Sequence, residues 1–422
     1  METISVDKVP IETRPKKRIR WTEAMPEDKV PEEIIYDILL LLPIKSLLTC
    51  TAVCKSWRSL IQSSAFIRYH LSRTSIQINS QNKDDAQAQL LLLHSSSKED
   101  RKKSYSLHWD SGPSFREYYK LTDPPLVTCN EIGGSAKVIG TCNGLVCLQN
   151  GKYAALIWNP CIRKCVFLPP PSVTLTGFIR YAFGYDSRTN DYKVLRSVCH
   201  YKAPRLSRAV EIWSLARGSW NRLSDAVVPA KFSPGNFTRD DNAASFVNGA
   251  LHWIQGNHRD DKFIVSFDLS TELFGKILMP TSALKRSKKW TLEAPVGKEF
   301  CYVSRYGDCL AFFVKRQNML LTGDVRFHLW VMKDYGVAES WSKLFIISTQ
   351  KFVDRPLGFR KNGQVVLSYV SRTKFYDLVE PNTKQCDHFR MDGYCPSTNA
   401  YRFMDYFVES IVLLDQPNAI SY

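Results

Sequence analysis

The sequence predicts a small all-α N-terminal module followed by a larger, mainly β domain. Two observations lead to this fold class. Apolar residues between positions 31 and 71 recur at helical spacing, whereas beyond about residue 130 short apolar runs alternate with turn residues and recur roughly every 50 positions. The chain has 422 residues, 44% of them hydrophobic and 12% aromatic, which is enough for two domains of unequal size.

The first predicted helix follows Pro31, a residue that is tolerated in a first helical turn. Ile34, Ile38 and Leu42 then lie four residues apart and form one apolar face. Pro43 cannot continue the helix, so it ends the first helix and opens the second.

Two further helices are predicted between residues 44 and 61. The second helix carries Leu47, and the third carries the stripe Val53, Trp57 and Leu60. A three-helix unit of this size buries only roughly 60% of its unfolded surface and is marginal alone. Docking onto the helices of another protein would cover its apolar face, and the alternative is a helical edge of a larger core.

This segment resembles the F-box, although Val30 replaces the leucine of the usual opening Leu-Pro. The resemblance is carried by Pro31-Glu32-Glu33, Ile38, Leu42-Pro43-Ile44-Lys45-Ser46-Leu47, Val53-Cys54-Lys55-Ser56-Trp57-Arg58, Leu60-Ile61 and Phe66. It implies binding to a Skp-type adaptor, which links the chain to a cullin scaffold and a ubiquitin-conjugating enzyme. The residues implied in adaptor binding are Pro31, Ile34, Ile38, Leu42, Pro43, Leu47, Val53, Cys54, Trp57 and Leu60.

Neither a membrane span nor a secretory signal is predicted. No stretch approaches about 18 consecutive apolar residues, and the N-terminus has no apolar signal region. We therefore expect the protein in the cytoplasm, the nucleus or both. The cluster Lys16-Lys17-Arg18-Ile19-Arg20 is a weak candidate for a nuclear-import signal.

The cysteines predict neither disulfides nor a metal site. Twelve cysteines are scattered through apolar segments, among them Cys142, Cys147, Cys165, Cys309 and Cys386, which is typical of reduced, buried thiols. Two pairs have Cys-x3-Cys spacing, and neither is followed by a second pair of the kind that a structural zinc site uses. No cofactor is expected.

The net charge of +16 favours a solvated surface or an acidic protein partner over nucleic acid. An excess of +13 is spread over the residues after 75, with only two local clusters, at 101 to 103 and 285 to 289. No helix-turn-helix, zinc-finger or RNA-recognition motif accompanies these clusters, so nucleic-acid binding is the less favoured alternative.

The C-terminal region repeats a unit of three parts. A turn that enters an apolar strand comes first, then a strand with a central aromatic residue, then a returning strand. The turns are Asn143-Gly144, Asn248-Gly249, Tyr306-Gly307-Asp308 and Asn362-Gly363; the aromatics are Trp158, Trp213, Phe267, Trp330 and Tyr376.

Repeats of about 50 residues built from four short strands predict a β-propeller, since radial closure protects the strand edges. Five blades are counted between residues 130 and 392. The leftover strands at 90 to 94, 105 to 109 and 407 to 414 would form a sixth, closed by the last of them. A β-sandwich with insertions is the alternative architecture.

The motifs CNGLVCL, WNPCIRKCVFLP, FGYDSRTNDYKVLRS and SFVNGALHWI resemble the plant F-box-associated domain and F-box/kelch-repeat families. Most units lack the doubled glycine of kelch blades, which favours the associated-domain type. The predicted organisation is a flexible tail (1–28), an F-box (29–75), an F-box-associated β-propeller of about six blades (76–415) and a C-terminal tail (416–422).

No catalytic motif is present, so a non-enzymatic role is predicted. His252 and His328 lie in apolar strands and are expected to be core residues, and the acid pairs at 240–241 and 260–261 are expected in solvated loops. The family resemblance implies a substrate receptor of an SCF-type ubiquitin ligase, with an unknown protein substrate bound by the loops at 199 to 209, 229 to 242 and 281 to 298. The alternatives are a scaffold or transcriptional cofactor acting outside a cullin ligase, and a propeller enzyme with an unrecognised site.

Overall fold

The structure is a computed structural model. It describes residues 30–79, 90–96, 103–110, 115–124, 136–150, 154–174, 178–202, 205–228, 244–256, 262–284, 299–317, 325–349, 353–369, 375–383, 385–390 and 401–422. The acid pairs at 240–241 and 260–261, the basic cluster at 16 to 20 and the predicted N-terminal tail lie outside these residues.

The N-terminal module is helical, as predicted, with four helices where three were expected. They are α1 (Glu32–Leu41), α2 (Ile44–Cys50), α3 (Lys55–Ile61) and α4 (Ser64–Asn79). Helix α4 was not predicted. Its buried face combines Phe66 and Ile67 with His70, and this polar residue interrupts the apolar pattern. The hydroxyl of Ser63 accepts a hydrogen bond from Phe66 N at 3.2 Å and starts this helix.

The chain divides into two compact units, residues 1–43 and 44–422. Within the first unit, α1 carries Glu32 and Glu33 in its first turn, where negative charge favours the helix dipole. Within the second unit, α2 and α3 are joined by a short turn. The Sγ atom of Cys54 accepts from Trp57 N at 3.4 Å, and Arg58 Nε donates to Thr51 O at 2.9 Å, which fixes the turn.

Six antiparallel sheets follow, one for each blade of a β-propeller, so the fold class is confirmed. Blade 1 contains β1 (Leu90–Ser96), β2 (Lys103–Trp109), β3 (Glu117–Lys120) and β24 (Tyr401–Phe407). Blade 2 contains β4 (Lys137–Cys142), β5 (Leu145–Asn150), β6 (Ala154–Asn159), β7 (Lys164–Phe167) and β25 (Ile420–Ser421). Blade 3 contains β8 (Phe178–Asp186), β9 (Asp191–Lys202), β10 (Arg205–Ser214) and β11 (Ser219–Arg222).

The remaining blades have four strands each. Blade 4 contains β12 (Ser245–Val247), β13 (Ala250–Gln255), β14 (Phe263–Asp268) and β15 (Phe274–Leu278), followed by the short helix α5 (Thr281–Leu284). Blade 5 contains β16 (Glu299–Tyr306), β17 (Cys309–Gln317), β18 (Val325–Met332) and β19 (Trp341–Thr349). Blade 6 contains β20 (Val353–Phe359), β21 (Val365–Tyr369), β22 (Phe375–Val379) and β23 (Cys386–Arg390).

The ring is closed by β24, which pairs with β1 along its whole length, from Leu90 opposite Phe407 to Ser96 opposite Tyr401. The prediction that residues 407 to 414 form the closing strand was wrong. The closing strand carries the polar residues Arg402 and Asp405 and therefore looked less strand-like, whereas the apolar residues after it form turns.

The segment after β24 packs along blade 2. The side-chain amide of Asn159 donates to Ser410 O at 3.0 Å and to Val412 O at 2.7 Å. Strand β25 pairs with β7, and the Trp158 indole donates to the hydroxyl of Tyr422. Residues 416 to 422, predicted as a tail, thus include a fifth strand of blade 2 and a side chain bonded to its core.

The repeated aromatic residues are core residues of their blades. Each lies on the third strand of its blade, counted from the centre, and each is buried: Trp158, Trp213, Phe267, Trp330 and Tyr376. On the fourth strand, Trp220 Nε1 donates to Pro169 O at 2.8 Å and Trp341 Nε1 donates to Leu278 O at 2.9 Å. These tryptophans therefore tie a blade to the one before it.

Buried charges also join neighbouring blades. Lys193 Nζ in blade 3 lies 3.0 Å from Glu272 in blade 4 and donates to Leu269 O at 2.7 Å. Between blades 6 and 1, Arg360 Nε lies 3.3 Å from Asp110 Oδ1. Each charge has a partner across the blade boundary, so loss of either partner would leave an uncompensated buried charge between two blades.

Two of the predicted Asn-Gly turns have the expected left-handed backbone. The φ angles are 52° and 79° at Asn143 and Gly144, and 49° and 72° at Asn248 and Gly249. The two glycines differ in their surroundings. A Cβ on Gly144 would lie 2.5 Å from Val408 O, whereas a Cβ on Gly249 would meet nothing within 4 Å.

We expect Gly144→Ala to destabilise the protein by several kcal/mol and Gly249→Ala by only about 1 kcal/mol. Both substitutions strain a left-handed residue, but only the first pushes the C-terminal segment off blade 2. Urea unfolding of the two variants checks this. Equal losses of unfolding free energy would show that the segment after β24 does not press on the Asn143-Gly144 turn.

The core histidines His94 and His252 hold neutral rings. Burial lowers the pKa of each to about 4, and backbone hydrogen bonds offset only part of this effect. The His252 ring bonds the hydroxyl of Tyr335 at 2.7 Å, across the boundary of blades 4 and 5. His252 is therefore a hydrogen-bonded core residue, as the sequence predicted.

We expect the unfolding free energy to fall as the pH drops from 6.5 towards 5. The histidines of the unfolded chain bind protons near pH 6.5, while the two buried histidines of the folded chain do not. Acid therefore favours unfolding, by about 1 kcal/mol or more for each histidine between pH 6.5 and 5. Urea unfolding at pH 7.5, 6 and 5 measures this slope, and His252→Gln should reduce it. A free energy that stays constant from pH 7.5 to 5 would contradict the prediction.

Candidate functional site

Helix α1 exposes apolar side chains at two of the predicted adaptor-binding positions. Ile34 is 44% and Ile38 is 51% exposed, and Leu41, which the sequence analysis did not single out, is 63% exposed. Pro43 is also exposed, while Pro31 and Leu42 are partly buried. Branched apolar side chains left in water on one short helix are available to a partner.

In the second unit, the turn before α3 and the helix itself present the other predicted positions. Val53 is 62% exposed and Cys54 is exposed, whereas Trp57 and Leu60 are partly buried. Leu47 is fully buried at 0% exposure, and its part in adaptor binding stays a prediction. A charge at this buried position would disrupt the fold.

Helix α4 contacts one end of the propeller. Ser64 Oγ donates to Asp415 Oδ2 at 2.9 Å. A cavity of about 80 Å³ lies between Ile67 and Leu71 on the helix and Tyr192 and Leu215 in blade 3. Tyr192 lies at the start of β9, next to the β8–β9 turn, and Leu215 lies in the β10–β11 turn, so the helix lies at the end of the blade where these tight turns are found.

The opposite end of the propeller is where the second and third strands of each blade are connected, because successive antiparallel strands reverse direction. Strands β9 and β10 remain paired as far as Lys202 opposite Arg205, beyond the point where β8 ends its pairing at Cys199. The predicted loop at 199 to 209 is thus mostly a β-hairpin. The predicted loop at 229 to 242 lies outside the described residues. Of the predicted loop at 281 to 298, only the start is described, and it forms α5.

A pocket near the propeller axis is lined by three arginines, Arg305, Arg355 and Arg402. Asp354 lies 3.3 Å from Arg355 and 3.5 Å from Arg402, and the Arg305 guanidinium lies over the Tyr406 ring. Burial raises the pKa of Asp405 in the same pocket. Asp354 thus pairs with two of the three arginines, Arg355 and Arg402.

A second cleft, of about 470 Å³, lies between blades 5 and 6. It contains a buried carboxylate, Asp377, whose Oδ2 atom accepts a hydrogen bond from the Cys386 thiol at 3.2 Å. The His388 Nδ1 atom contacts Asp377 Oδ1, and the Tyr369 hydroxyl donates to Oδ2. The sequence analysis expected no metal site and took Cys386 for a buried thiol, but this cysteine is exposed.

None of the helices in the described part of the chain combines the length and apolar character needed to cross a membrane.

The cysteines whose side chains are described are free thiols. Burial raises the pKa of Cys147 well above its ordinary value and that of Cys161 to about 12, so these two are protonated core groups.

Comparison with protein families agrees with this architecture. The F-box associated beta propeller domain matches residues 101–400, and an F-box-like model matches residues 28–73. Among solved structures, the Aleuria aurantia lectin AAL aligns over 71% of this chain and 94% of its own with 8% identity and a TM-score of 0.35, which is too weak a likeness to carry an argument.

Curated relatives with similar sequences are F-box proteins of Arabidopsis thaliana. The F-box protein CPR1 is 27% identical over 410 residues, which cover 91% of this chain and 89% of the relative. An F-box/kelch-repeat protein is 26% identical, with 82% and 87% covered. The chain therefore belongs to the plant F-box proteins that combine an N-terminal F-box with an F-box associated beta propeller domain.

Proposed function

We propose that this protein is the substrate receptor of an SCF-type ubiquitin ligase. The F-box binds a Skp-type adaptor and, through it, a cullin, and the propeller binds a protein substrate whose ubiquitination leads to degradation. The exposed apolar side chains Ile34, Ile38 and Val53, in a chain of this family, are the observation that carries the proposal. They are accessible in the free chain and match positions implied in adaptor binding.

The receptor contributes position rather than catalysis. A protein that holds a substrate beside a charged conjugating enzyme raises the effective concentration of the substrate's lysines, and this needs a fixed spacing but no reactive group. Helices α2 to α4 belong to the same compact unit as the propeller, and Ser64 is bonded to Asp415. These contacts support a constant distance between this part of the F-box and the substrate.

We place substrate binding at the end of the propeller opposite α4. The extension of β9 and β10 beyond β8 lies there, as do the connections between the second and third strands. Loops on a rigid ring are the usual carriers of specificity. We further propose that the protein works in the cytoplasm or the nucleus, where cullin ligases and their targets would meet.

Ile38→Glu and Val53→Glu should each weaken adaptor binding by tenfold or more without lowering the melting temperature. Each removes an apolar contact of about 1.5 kcal/mol or more and places a charge in the interface. Surface plasmon resonance with a Skp-type adaptor measures the affinity. The matched control is Leu273→Glu, which introduces the same charge at an apolar residue of blade 4 whose exposure is similar to that of Ile38 and Val53. Wild-type adaptor affinity in both F-box variants would contradict the proposal.

A chain of residues 44–422 should act as a substrate trap. It retains the second compact unit but lacks α1 and its exposed isoleucines, so we expect it to bind substrates without delivering them to the ligase. Affinity purification with proteasome and neddylation inhibitors identifies the bound proteins, and pulse-chase labelling then measures their half-lives. Circular dichroism first shows that the fragment is folded. If a captured protein decays at the same rate with and without the fragment, this division of labour is wrong.

A further inference from the structure

We propose that Asp377, Cys386 and His388 form a zinc-binding site at the outer part of blade 6. The three side chains offer a carboxylate oxygen, a thiol sulfur and an imidazole nitrogen, all within 4.8 Å of one another. Zinc is borderline-soft and accepts this mixture of oxygen, sulfur and nitrogen ligands. The inference is independent of the proposed ligase role.

The strand pairing of blade 6 brings these residues to one face of the sheet. Asp377 in β22 lies directly opposite His388 in β23. Cys386 lies two residues before His388, and residues two apart on a strand point to the same side. Two of the ligands therefore come from one strand and the third from its neighbour, so the backbone itself holds the three groups together.

The distance from Cys386 to Asp377 is close to that expected around a tetrahedral ion, and the contact from His388 to Asp377 is shorter. Ligand atoms bound to zinc at about 2.0 to 2.3 Å lie roughly 3.3 to 3.7 Å from each other. The Cys386 Sγ atom is 3.2 Å from Asp377 Oδ2, and the His388 Nδ1 atom contacts Oδ1 of the same carboxylate. Binding would require the exposed side chains of Cys386 and His388 to rotate about the buried carboxylate.

Tyr369 holds the carboxylate in place. Its hydroxyl donates to Asp377 Oδ2. Carboxylates that bind metals are commonly oriented by such an outer hydrogen bond. Ile347, Leu367 and Val379 also line the cleft, so its wall combines apolar and polar side chains.

The order of the groups distinguishes a metal site from a nucleophilic triad. In a triad the imidazole lies between the nucleophile and the carboxylate, so that it can accept the proton of the nucleophile. Here the carboxylate lies between the thiol and the imidazole. In this arrangement the imidazole cannot accept the proton of the thiol directly. The arrangement does bring a carboxylate oxygen, a thiol sulfur and an imidazole nitrogen close together.

Zinc at this site would fasten β23, the outermost strand of its blade, to β22. Three protein ligands leave one tetrahedral position open towards the cleft. We therefore expect zinc to raise the melting temperature of the full chain, since a metal that binds only the folded state stabilises it by mass action.

Cobalt and zinc titrations of the chelator-treated full chain test the site. We expect about one Co²⁺ per chain, with a near-ultraviolet thiolate-to-cobalt charge-transfer band and the visible spectrum of a tetrahedral ion, which Zn²⁺ displaces. Cys386→Ser should abolish the band. His388→Asn should weaken zinc binding by more than about 100-fold, beyond the loss typical of an outer partner.

Matched controls use residues close by that lie outside the site. Asp387→Asn changes the residue between the two proposed ligands on β23, where the side chain points to the other face, and Cys309→Ser removes a partly buried thiol of blade 5. Both should bind cobalt and zinc as the unaltered chain does. Because Cys386 and His388 are exposed, their variants should remain folded, which circular dichroism verifies. Absence of the band in the unaltered chain, or its persistence in Cys386→Ser, would overturn the proposal.

Discussion

The pairing of β24 with β1 is the contact on which the propeller depends. It joins strands about 300 residues apart in sequence, and a closure of that length costs more entropy than any hairpin in the chain. The cost is offset because one pairing removes two sheet edges and completes a ring in which blades are joined by buried contacts such as Lys193 with Glu272. The segment after β24 adds to this closure through Asn159, which binds two of its carbonyl groups.

Local sequence signals predicted most of the fold. Asn-Gly turns such as Asn143-Gly144 require a left-handed backbone, and the aromatic residues such as Trp158 require burial, so both report directly on local structure. The closing strand was predicted at the wrong residues because its partner β1 is distant in sequence. A segment that contains Arg402 and Asp405 lacks the local apolar pattern that would indicate a strand. Helix α4 was missed because His70 interrupts its apolar face and because residues that pack against it, such as Asp415, are distant in sequence.

The candidate site was predictable only in part. The helical stripe in the F-box identified apolar positions, but it did not separate Leu47, which is buried, from Val53, which is exposed. Periodicity shows which residues share a face and does not show which face is covered by the rest of the chain. The cluster around Asp377 was not predicted at all, because its ligands come from two strands and the spacing of Cys386 and His388 alone matches no common zinc motif.

Closure by the C-terminus also sets an order of events during synthesis. The ring lacks its closing strand until residue 407 has been made, roughly 15 to 65 s after the end of α4 at common translation rates. Until then the strand edge of β1 stays open, and rapid completion of the ring would keep that edge from pairing with other chains.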